Sequence, residues 1–277
     1  MGLRINTNVQ SLAAQRNLGL NSAAQKSSLE KLASGTRITK AADDAAGLAI
    51  SENMRASIRS IRQATRNAND GISMIQTAEG GMNEISNILV RFRELSIQAA
   101  SDTIGDTERG FVDKEVQQLK AEIDRIANST EYNGRKLLKG EGELLEVQIG
   151  MKNVPEEDRF VYDQAKTMAT ADHLGVSSIS VKTKEEAQNN LDMVDTAIKS
   201  LVENRAELGA LQNRVQSTVN NLQIYDENLS AAQSRIRDVD MASETAELTK
   251  NNILTSAGVS VLSQANQNNL QALKLMG

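Results

Sequence analysis

His173 is the only imidazole in the chain and cysteine is absent, so acid–base, nucleophilic and thiolate chemistry have few residues to work with. A general acid–base or zinc site needs partners at workable spacing, and no His-Glu-x-x-His occurs around His173. Without cysteine there is neither a disulfide framework nor a cysteine metal site. The acidic pairs Asp43-Asp44 and Asp238/Asp240 offer oxygen ligands, but cation-binding loops need more carboxylates at defined spacing. Asp side chains bond free backbone amides near helix starts, so capping and turn roles suit these four better. Met54, Met74 and Met82 fit seam packing rather than a binding groove. These residues assign no catalytic role, no metal and no cofactor, and the chain is expected to be a non-enzyme.

The elements that would carry any other function are helices. The 277 residues include no Trp, three Phe, three Tyr and a single proline, Pro155. Aromatics normally dominate the area buried in a thick core, so long helices meeting along narrow seams fit this composition better. A heptad-like stripe runs through Ile50, Met54, Ile58, Ile61, Ala68, Ile72, Ile75, Ala78, Met82, Ile85, Leu89, Phe92 and Leu95. At 1.5 Å per residue such a helix would be roughly 75 Å long. Gly71, Gly80 and Gly81 inside it suggest tight packing or a bend. A shorter stripe takes in Val112, Val116, Leu119, Ile123 and Ile126, after a turn at residues 101–106. A third runs from Leu191 through Val194, Ile198, Leu201, Leu208, Val215, Val219, Leu222, Leu229 and Ala232 to Ile236. Arg205, Gln212 and Asp226 interrupt it and should meet water or a polar neighbour. Three such stripes can close as a bundle.

Between them the period changes. Residues 144–149, 159–162 and 176–181 have strand composition, and Asn133-Gly134 and Lys139-Gly140 are turn signals. The ends differ again. From Ile5 to Gln25 the only charge is Arg16, and from Asn251 to Gly277 the only side-chain charge is Lys274. That last stretch holds eight Asn and Gln beside Ile253, Leu254, Val261, Leu262, Leu270 and Leu273. A solvated tail would be charged and poor in aliphatics, and a monomer's terminal helix would show a charged outer face. These ends show neither, so self-association is the economical explanation. The formal charge of −5 argues against a nucleic-acid surface. No apolar run approaches the roughly 20 residues of a membrane span. The start lacks a basic region followed by an apolar one, so no cleaved secretory signal is expected.

Several segments resemble the bacterial flagellins. They are Arg4-Ile5-Asn6-Thr7-Asn8-Val9, residues 28–38 (SLEKLASGTRI), residues 41–51 (AADDAAGLAIS), Asn69-Asp70-Gly71-Ile72-Ser73 and Thr77-Ala78-Glu79-Gly80. Toward the other end come residues 208–214 (LGALQNR), 234–240 (SRIRDVD) and 258–267 (GVSVLSQANQ). The resemblance covers roughly residues 1–138 and 184–277. It implies termini that order on assembly into an inner tube of paired helices, and heptad helices that form an outer tube. It further implies secretion through flagellar type III export, an export chaperone at the C-terminal segment, and filament cap and hook–filament junction proteins as neighbours. The segment around Arg91 and Leu95, with Glu115, resembles the stretch of flagellin recognised by Toll-like receptor 5, which makes these three residues its expected contacts.

The expected fold is mainly α: an elongated, heptad-packed helical bundle with a small β element, whose N- and C-terminal helices pair as an inner coiled coil. Residues 1–40 with 237–277 form the polymerisation domain, and 41–236 form the outer domain, with a short variable β-containing segment at about 139–183. Val9, Leu12, Leu29, Leu32, Ile253, Leu254, Val261, Leu262, Leu270 and Leu273 are the expected polymerisation residues. The expected function is the structural subunit of an extracellular flagellar filament, with itself as principal partner. Two other functions fit part of the pattern. A hook–filament junction protein shares similar ends, and a helical regulator would bind a partner through its heptads.

Overall fold

The structure, a computed structural model, describes residues 7–140 and 144–274, with side chains through residue 267. Its elements are α1 (Val9–Ser34), α2 (Ala45–Ala99), α3 (Asp106–Ser129), β1 (Glu131–Tyr132), β2 (Arg135–Lys136), β3 (Leu145–Gln148), α4 (Pro155–Asp158), β4 (Arg159–Tyr162), α5 (Lys184–Arg237) and α6 (Met241–Lys274). They form two compact units, Met1–Ile58 with Asn228–Gly277, and Arg59–Glu227.

In the first unit α1 packs along α6. The Asn8 side chain caps α1 by accepting from the Ser11 N–H at 3.0 Å. Gly35 ends it at φ +70°, a left-handed conformation that favours glycine, with its N–H donating to the Lys31 carbonyl. Beyond it, Thr36 and Asp238 form an antiparallel bridge. The Arg37 N–H donates to the Arg237 carbonyl at 2.6 Å, and the Val239 N–H to the Gly35 carbonyl at 3.1 Å. The two ends of the sequence are thereby tied at the base of the helix pair.

In the second unit one apolar core joins all three stripes. Ala68, Ile75, Ala78, Met82, Ile85, Leu89 and Phe92 of α2 meet Val116, Ile123 and Ala127 of α3 and Val194, Leu201, Leu208 and Val215 of α5. The α2 stripe is buried from Ile58 to Leu95, whereas Ile50 is exposed. The α5 seam is shallower: Leu191, Ile198 and Leu222 are half-buried. Two of its three polar interruptions find polar neighbours, Asp226 with Arg62 at 3.0 Å and Arg205 with Glu79 at 3.7 Å. Gly81 marks a close approach, since a Cβ there would lie 2.6 Å from Thr130 Oγ1 and 2.8 Å from Leu138 Cδ1.

The small β element is two hairpin-like pairs. β1 and β2 are joined by Asn133 and Gly134, both at positive φ (51° and 77°), as the Asn-Gly pair suggested. β3 pairs antiparallel with β4, Leu145 opposite Tyr162. The stretch 176–181, strand-like in composition, makes no strand. Side chains take the place of a sheet partner for its backbone. Lys120 donates to the Ser177 carbonyl, Gln117 to that of Ile179 and Asn190 to that of Ser180, while buried Asp113 accepts from the Val181 N–H and the Ser180 hydroxyl. Val176, Ile179 and Val181 are still buried in the core without a ladder.

Candidate functional site

The candidate site is the outer face of the α1–α6 pair. Val9, Leu12, Leu20 and Leu29 on α1 and Ile253, Leu254, Val259 and Val261 on α6 are 42–67% exposed. Leu32 and Leu262 are half-buried. The side chains of Leu270 and Leu273 lie outside those described. An open groove between the helices is lined by Ala13, Ala14, Asn17, Val261 and Gln264. Polar groups cross-link the pair. Asn8 Nδ2 donates to the Ala265 carbonyl and Ser11 Oγ to Asn266 Oδ1, both at 3.0 Å, and Gln25 Nε2 donates to Asn252 Oδ1. Eight large aliphatic side chains thus face outward while polar ones cross-link the helices, with Leu18 an exception that lies 3.3 Å from where a Cβ on Gly258 would stand.

The loop leading to α2 explains the acidic pair. Asp43 Oδ2 accepts from the Thr39 N–H, the Thr39 hydroxyl and the Lys40 N–H at 2.9–3.0 Å. The Lys40 backbone bond, then those from Thr39, hold the Asp43 carboxyl below its ordinary value. Asp44 Oδ1 accepts from the Gly47 N–H at 2.8 Å at the start of α2. A Cβ on Gly47 would sit 2.3 Å from the Asp44 carboxylate and 2.9 Å from Ile38 Cδ1. Asp240 likewise accepts from the Ala242 and Ser243 N–H groups at the start of α6. Nearby, the Arg237 guanidinium pairs with Glu52 and keeps that carboxyl below its ordinary value.

On the second unit Arg91 bridges Glu115 of α3 and Glu94 of its own helix, both at 2.9 Å. Leu95 is only 2% exposed and packs into the core beneath this surface pair. His173 is exposed. Three other residues that position these surfaces carry no sign in the sequence. Buried Arg109 donates to the Ala99 and Ser101 carbonyls and closes the α2–α3 turn. Ser28 and Asn251 are buried within the first unit. Amide and hydroxyl positions inside an uncharged helix carry no periodic signal that tells buried from exposed.

Known proteins give this arrangement its context. Residues 5–143 match the bacterial flagellin N-terminal helical region, and residues 191–276 match the bacterial flagellin C-terminal helical region. The flagellin of Halalkalibacterium halodurans is 43% identical over 98% of this chain and 99% of its own length. That of Bacillus subtilis is 41% identical over 99% of this chain and 100% of its own. The crystal structure of Bacillus cereus flagellin superposes with a TM-score of 0.51 at 32% identity, covering 57% of this chain and 88% of that one. A putative flagellar hook-associated protein from Vibrio parahaemolyticus reaches a TM-score of 0.58 at 12% identity, over 71% of this chain and 100% of that one, which is a likeness of fold alone. Identity sustained across nearly the whole length separates the filament protein from the junction protein. The exposed terminal pair, the heptad core and these matches agree that the chain belongs to the bacterial flagellins, structural subunits of the flagellar filament.

Proposed function

We propose that this flagellin polymerises through α1 and α6, with residues 1–40 and 237–277 as the inner-tube domain and 41–236 as the outer-tube domain. The observation that carries the proposal is the row of eight large aliphatic side chains left 42–67% exposed on the helix pair. Fixing backbone costs about 1–2 kcal/mol per residue, whereas fully burying each aliphatic side chain contributes about 1.5–3 kcal/mol. The terminal helices therefore order as neighbouring copies cover these side chains. Contacts between different patches on successive copies leave the polymer open and helical. Val9, Leu12, Leu29, Leu32, Ile253, Leu254, Val261, Leu262, Leu270 and Leu273 are the proposed contact residues. Removing residues 258–277 should leave a soluble protein that does not polymerise. Filaments of that truncation in electron micrographs would refute the role of the end.

The same exposed face calls for cover before assembly. An export chaperone on the C-terminal segment, type III export to the cell exterior, and cap and hook–filament junction proteins at the polymer's ends complete the proposed setting.

A second proposal concerns Toll-like receptor 5, supported by the Arg91–Glu115 pair, whose side chains are both about half exposed (48% and 45%). Arg91 and Glu115 serve as direct contacts, because an Arg fork can pair and stack at an interface. Leu95, being buried, holds α2 in place beneath them rather than meeting the receptor. Arg91→Ala and Glu115→Ala should each weaken signalling by monomeric protein in a reporter cell. An unchanged dose–response for both would sink this assignment.

A further inference from the structure

In the second unit three Asn or Asp residues precede Gly or Ser, and the fold treats each pair differently. Asp70-Gly71 lies within α2, so the Gly71 N–H belongs to the helix ladder. A Cβ on Gly71 would stand 3.8 Å from Val147 and 3.9 Å from Phe160. Asn128-Ser129 ends α3, and the Asn128 side chain donates to the Asp124 carbonyl at 2.7 Å. Asn133-Gly134 is held by neither device. Both residues are exposed, and a Cβ on Gly134 would meet nothing within 4 Å. Among the described residues, neither the Asn133 side chain nor the Gly134 N–H makes a hydrogen bond. β1 and β2 hold the turn with two residues each, and a two-stranded pair so short is marginal by itself. A free amide nitrogen thus sits beside a free carboxamide, in space open to water.

We propose that Asn133 is a site of enzyme-independent covalent modification, converting through a succinimide to aspartyl and isoaspartyl forms. Base removes the Gly134 amide proton, and that nitrogen attacks Cγ of Asn133. The bond from Cγ to the side-chain nitrogen breaks, and ammonia leaves with a proton from solvent. Water then opens the ring at one of its two carbonyls. Breaking the new Cγ–N bond gives an ordinary aspartyl. Breaking the former peptide bond leaves the chain running through the side chain, one carbon longer. That longer link shifts β2 against β1. The shift reaches the core, because the Leu137 N–H donates to the Thr130 carbonyl at 3.1 Å and the Leu137 carbonyl accepts from the buried Tyr162 hydroxyl at 3.0 Å.

The test is peptide mapping by mass spectrometry of the full-length chain, aged either folded or in denaturant. Cleavage after Arg125 and Arg135 places Asn128 and Asn133 in one peptide, and fragmentation separates aspartyl from isoaspartyl. In the folded chain we expect Asn133 to convert at least tenfold faster than Asn128, mainly to isoaspartyl. Conversion should quicken as pH rises, because the attacking nitrogen must first lose its proton. Aged wild type should melt below fresh protein, whereas aged Asn133→Gly, which keeps a residue suited to positive φ, should melt as it does when fresh. A folded chain that keeps Asn133 intact while the denatured chain converts it would overturn the proposal, as would equal rates at Asn133 and Asn128. Aged wild type rich in isoaspartyl that melts like fresh protein would overturn the link to the core.

Discussion

Ile253 offers a quantitative test of assembly through the outer face. Ile253→Ala removes three carbons, worth about 0.8 kcal/mol each on full burial, or about 2.4 kcal/mol in all. Ile253 is 64% exposed in the isolated chain. About two-thirds of that total is therefore still to be gained from a neighbouring copy, about 1.5 kcal/mol. At about 1.4 kcal/mol per decade, the critical concentration for elongation should rise about tenfold. Val261 is 58% exposed, and Val261→Ala removes two carbons, so the same reasoning gives about 0.9 kcal/mol and about fivefold. Alanine is the better helix former, so intrinsic propensity pushes a few tenths of a kcal/mol in the opposite direction. A rise can therefore not come from a weakened helix. The assay is seeded elongation over a concentration series, pelleting the polymer and measuring what remains soluble. Melting of the unassembled protein should not change, because neither residue contributes to the core of the second unit. Critical concentrations within twofold of wild type for both variants would refute the reasoning.

Other perturbations probe the rest of the chain. Gly81→Ala should lower stability by about 1–3 kcal/mol through overpacking against Thr130 and Leu138, visible as a drop in melting temperature; an unchanged melt would mean the helices part freely there. Asp113→Ala should cost about 1–3 kcal/mol by stripping the Val181 N–H of its acceptor, and denaturant unfolding at wild-type midpoint would contradict it. Acid should loosen the base of the first unit. The carboxyls of Asp43, held by Lys40 and Thr39, Glu52, held by Arg237, and Glu30, held by Lys40, all sit below their ordinary values. Their stabilisation is present above the ordinary carboxylate range of about 4 and is lost as pH falls through the lowered values. Protection of the amides at residues 35–52, taken relative to the intrinsic exchange rate at each pH, should therefore fall below about pH 4, and less steeply in Asp43→Asn. Identical pH profiles for variant and wild type would rule out Asp43 as a contributor.

Periodicity along the chain was enough to establish the heptad core. The stripe residues from Ala68 to Leu95 recur at helical spacing and are buried together, because a stripe on one helix face depends only on 3.6 residues per turn. The Asn133-Gly134 turn was legible for a similar local reason, since few other residues accept two left-handed conformations in succession. The uncharged ends also announced association, through what they lacked. Direction was not legible there. α1 carries no apolar stripe, so nothing in its spacing indicates that Ser28 faces α6 while Leu29 faces out. Nor could composition show that the backbone at 176–181 would be satisfied by Lys120, Gln117 and Asn190 instead of a strand. Leu95 belonged to the apolar stripe and to a surface motif at once, and only packing against the core decided between them. Sequence fixes which side chains share a face of a helix, while the neighbour that covers a face, and so decides what is buried, exists only in three dimensions.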